Sequence, residues 1–90
     1  MIYPIATLRL AVLSIDLMQY EKSIQYALAM ENTNLKDKGL TLAAEIEENY
    51  LGDSESALKY YYRVLSECST SLLADPVRIH VRKISKPRES

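Results

Sequence analysis

Shifted by 34 residues, this 90-residue chain half repeats itself. Thr7-Leu8 falls on Thr41-Leu42, Leu17 on Leu51, Glu21 on Glu55 and Tyr26 on Tyr60. Conservative matches lie between them: Val12 on Ile46, Ser23 on Ala57, Ile24 on Leu58 and Met30 on Val64. A period of this length implies units that cannot bury their apolar faces alone, so that one helical pair must stack on the next. Surfaces built this way hold other proteins, and the sequence names no particular partner.

Composition agrees with a helical reading. Apolar residues make up 48% of the chain, with only two Gly and three Pro, and strong helix formers dominate. That much apolar content with a net charge of -1 argues against disorder. Ninety residues allow one small domain.

Five helices can be read between polar turns. The first spans about Pro4 to Leu17, with Pro in the first turn and Ile5, Leu8, Val12 and Ile15 at helical spacing beside Ala11. The second runs from Tyr20 to about Glu31, with Ile24, Ala27, Leu28 and Met30 or Glu31 inward. Asn34, with Asp37 three residues on, fits an N-cap and capping-box position for a third helix ending near Leu51. Gly52 suits a left-handed helix end, and Asp53 suits the cap of a fourth helix from Ser54 to Cys68. That helix carries Ala57, Leu58, Tyr61, Val64 and Leu65 on one face, with Glu55/Lys59 and Arg63/Glu67 as i,i+4 ion pairs outside. Any of Ser69, Thr70 and Ser71 can cap a fifth, from Leu72 to Ile84, with Leu73, Val77, Val81 and Ile84 inward and Arg78, Arg82 and Lys83 outward. Residues 4–84 then form the domain, and residues 85–90 a disordered tail with nothing apolar to bury.

The run from Leu51-Gly52-Asp53 through Ala57-Leu58-Lys59-Tyr60-Tyr61 resembles the turn and second-helix start of a tetratricopeptide repeat. Ala57 matches the small residue where paired helices touch, and Tyr61 the large one that fills the gap to the neighbour. Tyr60 to Leu72, followed by the basic Val77 to Ile84, is similar to the last repeat and capping helix of bacterial envelope proteins of this family. The resemblance implies an all-α fold of antiparallel helical hairpins stacked as a short solenoid, about two repeats plus a C-terminal capping helix. It implies a non-catalytic scaffold for a protein or peptide partner. Met18-Gln19 stands where the family has its Gly-Asp turn, and residues 5–17 lack its aromatic signature.

Strict alignment from Gly52 would put Glu45 and Glu48 in the core. A one-residue shift puts Leu40, Ala43 and Ala44 there instead, which avoids burying unpaired carboxylates. In the shifted register Thr41, Glu45, Glu48 and Asn49 line a polar, acidic concave face, and they are the expected partner-binding residues. The first helix has Leu8, Leu10, Val12, Leu13 and Leu17 on more than one stripe. A second reading is therefore a structural or self-associating fragment of a larger repeat protein, dimerising through Leu8 and Val12.

Other chemistry finds little footing. His80 is the one His, Cys68 the one Cys, and Gly39 and Gly52 stand alone without a phosphate loop. His80 fits a surface or half-buried helical position better than a triad, and Cys68 an inert helix end better than a reactive thiol. Glu45, Glu47 and Glu48 lack a nearby His at ligand spacing and read as a solvated face, so neither metal nor cofactor is expected. Tyr60, Tyr61 and Tyr62 point about 100° apart, which leaves Tyr61 for the core and its neighbours for rims or ligand contacts.

Residues 1–75 carry six basic against eleven acidic side chains, and residues 76–90 five against one. The basic end, Arg78, Arg82, Lys83, Lys86 and Arg88, lacks interleaved aromatics, so it reads as the polar face of an end cap and no nucleic acid is expected. Only six uncharged residues separate Arg9 from Asp16, which rules out a membrane span there. The start lacks a basic n-region. The expected location is cytoplasmic if Met1 is the native start, and periplasmic or envelope-associated if the chain is a piece of a longer exported protein.

Overall fold

Pro4 starts the first helix where its missing N–H has no partner to lose, and four more helices follow. The computed structural model describes residues 3–85, and the elements are α1 (Pro4–Asp16), α2 (Tyr20–Leu28), α3 (Lys36–Asn49), α4 (Ser54–Glu67) and α5 (Ala74–Ser85). The described residues are all-helical, and each helix packs chiefly on its neighbour in sequence. The result is a flattened body measuring 48 × 31 × 15 Å.

Two apolar clusters form the core. Ile24, Ala27, Ala43 and Ile46 join α2 to α3, with Ile15 of α1 and Tyr20 packed against them. Leu40, Ala44, Ala57, Tyr61, Val64, Val77 and Val81 join α3, α4 and α5. Small residues permit the close approaches. Ser23 is fully buried, and its hydroxyl donates to the Ala11 carbonyl at 2.6 Å, fastening α2 to α1. Gly39 lies so near the Ala27 carbonyl and Met30 that a Cβ would collide with that main-chain oxygen.

Several helix ends differ from the sequence expectation. The second helix stops at Leu28 instead of Glu31, because Met30, Glu31 and Thr33 take tight i→i+3 bonds. The Thr33 hydroxyl donates to the Met30 carbonyl and accepts the Leu35 N–H, so it does the work expected of Asn34. Leu35 is the N-cap residue, without a side-chain cap bond. Asp37 does not reach back to Asn34; it takes the adjacent Lys38 N–H and the hydroxyl of Ser71. The fifth helix begins at Ala74, because Ser71 accepts the Leu73 N–H and Leu72, 95% exposed, buries nothing that would hold it in a helix.

The fourth helix starts as its residues dictate. Gly52 has φ 68°, and Asp53 accepts from the Ser56 N–H at 3.1 Å. Arg63 pairs with Glu67 at 2.9 Å. The other expected pair, Glu55 with Lys59, is not among the ion pairs of the described residues. Instead Arg63 also holds Glu31 at 2.9 Å and Lys36 holds Glu67 at 2.8 Å, so charges at three helix ends form one network. Ser85 belongs to α5, where its hydroxyl bonds the Val81 carbonyl; the rest of the expected tail, 86–90, lies outside the described residues.

Candidate functional site

A groove with a cavity volume of about 300 Å³ opens between α3 and α5, with α4 as its floor. Its α3 wall is Thr41, Glu45, Glu48 and Asn49; the facing wall is Leu73, just before α5, with Pro76, Val77 and His80 of α5; Tyr61 lies between them. The α3 wall exists because Leu40, Ala43 and Ala44 are turned inward, which leaves positions 41, 45, 48 and 49 on the opposite side of the helix.

The four residues of that wall have separate duties. The Thr41 hydroxyl donates to the Asp37 carbonyl one turn back and is satisfied within its own helix. Glu48 is tied into the fold. Its Oε1 accepts the Tyr61 hydroxyl at 3.0 Å and lies 2.7 Å from His80 Nε2. A carboxylate can only accept, so His80 donates through Nε2. The His80 ring also meets the Tyr61 ring edge-on, with centroids 5.2 Å apart. One carboxylate thus holds α3, α4 and α5 together, and burial followed by the bond to Glu48 pushes the Tyr61 hydroxyl well above its ordinary range. It remains a protonated donor.

Glu45 and Asn49 are the exposed members. Partial burial against the groove pushes the Glu45 carboxyl upward; His80 opposes this and Glu48 reinforces it. No Lys or Arg among the described residues forms an ion pair with Glu45.

Two of these participants were missed in the sequence. Tyr61 read only as core, and His80 as a surface or half-buried helical residue with no assigned partner; it is half-buried on α5. Glu48 and His80 are 32 residues apart, and nothing local links them. Glu47, beside them in sequence, sits elsewhere: burial, then Asp53 and Glu21, raises its carboxyl. Among the described residues no three His, Cys, Asp or Glu side chains converge to hold a metal. The Cys68 thiol is pushed up chiefly by burial, the direction opposite to an activated thiolate. Arg78 on α5 pairs with Asp75, and Arg82 and Lys83 are exposed in its last turn; Lys86 and Arg88 of the basic end lie outside the described residues.

On α1, Leu8 is half-buried on the side of Ala11, whereas Val12 is exposed. Among the described residues no helix is long and apolar enough to cross a membrane. Comparison with protein-family models, curated proteins and solved structures finds no match to the chain.

Proposed function

We propose that this chain is a non-catalytic scaffold of tetratricopeptide type, with α1–α2 and α3–α4 as its helix pairs and α5 as the end cap. It holds a basic segment of a protein partner in the groove between α3 and α5. The repeat reading is supported by the starts of α2 and α4, which are 34 residues apart and each follow a left-handed residue, Met18 and Gly52. It is supported also by Ser23 and Ala57, Ala27 and Tyr61, and Met30 and Val64, each pair at that spacing and every member buried.

Glu45 carries the binding reading. A partly desolvated carboxylate without a paired Lys or Arg costs stability, and a cation brought by a partner offsets that cost. Across from it, Leu73 and Val77 offer an apolar wall for the neighbours of that cation. Glu48 adds its charge to the same wall, while Tyr61 and His80 fix the position of its Oε1.

The test is selection from a library of displayed random decapeptides. Wild-type protein should enrich sequences with Lys or Arg beside an apolar residue, and Glu45→Lys should lose that enrichment. Equal enrichment on both proteins, or none on the wild type, would remove the groove from the account.

A further inference from the structure

The outer side of α1 carries an apolar stripe that the fold leaves open. Tyr3, Ala6, Leu10, Leu13 and Leu17 recur at spacings of three, four, three and four, the heptad pattern of helices that pack along their length. All five are exposed, and the three leucines are 43%, 51% and 59% accessible. The inward side of the same helix is narrow, since only Ala11 and Ser14 are buried in α2's direction.

The charges beside the stripe say what covers it. Arg9 and Asp16 each stand one position before a stripe leucine, on the same flank. Seven residues apart, they are about 10 Å from each other along the helix and cannot pair directly as neighbours within it. Neither has an ion-pair partner among the described residues. The other flank, Thr7 and Ser14, is uncharged, half-buried at Thr7 and buried at Ser14.

We infer that this face mates with the same face of a second copy, the two α1 helices running antiparallel about a two-fold axis. Leu10 then packs on Leu13 of the second copy, Ala6 on its Leu17, and the reciprocal contacts follow by symmetry. The same register sets Arg9 opposite the second copy's Asp16, and Asp16 opposite its Arg9, closing two equivalent ion pairs. A parallel arrangement would set Arg9 toward Ser14, which is buried, and would pair neither charge. The inference is independent of the groove, which is built from α3, α4 and α5.

Sedimentation equilibrium over micromolar to millimolar concentrations tests it, with far-UV circular dichroism as the check on folding. Wild-type protein should reach twice the chain mass. Leu13→Glu should be monomeric, and Val12→Glu, about 100° away around the helix, should still dimerise. Arg9→Asp and Asp16→Arg should each dimerise at least tenfold more weakly. Mixed in equal amounts they should recover the wild-type affinity, because the mixed pair restores both charge contacts. Should Leu13→Glu lose helicity, the two surface charge variants decide alone. A wild-type monomer at millimolar concentration, a dimer indifferent to a folded Leu13→Glu, or a mixture no stronger than either charge variant would overturn the inference.

Discussion

Met18 and Gly52 stand 34 residues apart and share a left-handed backbone, with φ of 61° and 68°. Each lies two residues before the start of a helix, α2 or α4, yet only one of them is the residue type that adopts this conformation freely. An L side chain in this region costs roughly 1–2 kcal/mol. Met18→Gly should therefore stabilise the protein by about 1 kcal/mol, part of the relief being offset by the greater freedom of Gly in the unfolded chain. Met18 is largely exposed, so little packing is lost. Urea denaturation checks this, and a Gly52→Met variant should shift the midpoint in the opposite direction.

Tyr61 and Tyr62 are adjacent but should respond differently to loss of the hydroxyl. Tyr61 donates to Glu48 from a site 3% exposed, and Tyr62 is half exposed. Tyr61→Phe should cost about 1.5–3 kcal/mol, the range for a hydrogen bond to a charged acceptor. Tyr62→Phe should fall within about 0.5 kcal/mol of wild type. Chemical denaturation of both variants gives the comparison.

Gly39→Ala sets helix propensity against packing. Propensity alone favours Ala by about 1 kcal/mol. The added Cβ meets the Ala27 main-chain oxygen, which cannot yield without moving α2, and Met30 atoms at 3.3 Å. A net loss of about 1–3 kcal/mol is expected by thermal or urea unfolding.

Glu67 should contribute to acid sensitivity, alongside Asp37 and Asp53, whose carboxyls are also held down. Hydrogen bonds from Arg63 and then Lys36 hold the Glu67 carboxyl down at about 2, against an ordinary value of 4.5. Between those two values the unfolded chain binds more protons than the folded one, so stability is present above 4.5 and is lost as pH falls toward 2. Glu67→Gln should flatten the stability profile in that window. Glu45 and Glu47, raised by burial, carry the opposite sign and favour the folded state as they become protonated. Stability measured from pH 2 to 7 on both proteins tests the assignment, and 1 M salt should weaken the wild-type slope.

The helical order was legible because apolar spacing is a local property. Ala57, Tyr61 and Val64 are buried on α4, and Val77 and Val81 on α5, as their periodicity requires. Caps were legible where one residue decides, as at Gly52-Asp53, and misread where several polar residues compete, as at Thr33-Asn34. The α1 pattern was ambiguous: Ile5, Leu8, Val12 and Ile15 share helical spacing, but only small Ala11 and Ser14 are buried, while Ile5 and Val12 are exposed. Glu48, Tyr61 and His80 meet only after three helices pack, so no local signal could join them. Thr41, Glu45, Glu48 and Asn49 share one wall because they share one helix face; what each does depends on its neighbours from α4 and α5.

The central claim is that the groove between α3 and α5 accepts a cationic segment at Glu45. Its most direct test is titration of 15N-labelled protein with a capped Leu-Arg-Leu tripeptide, followed by amide chemical shifts. Saturable shifts should concentrate at Thr41, Glu45, Asn49 and Val77 and disappear in Glu45→Lys. Shifts confined to other surfaces, or unchanged in Glu45→Lys, would contradict it.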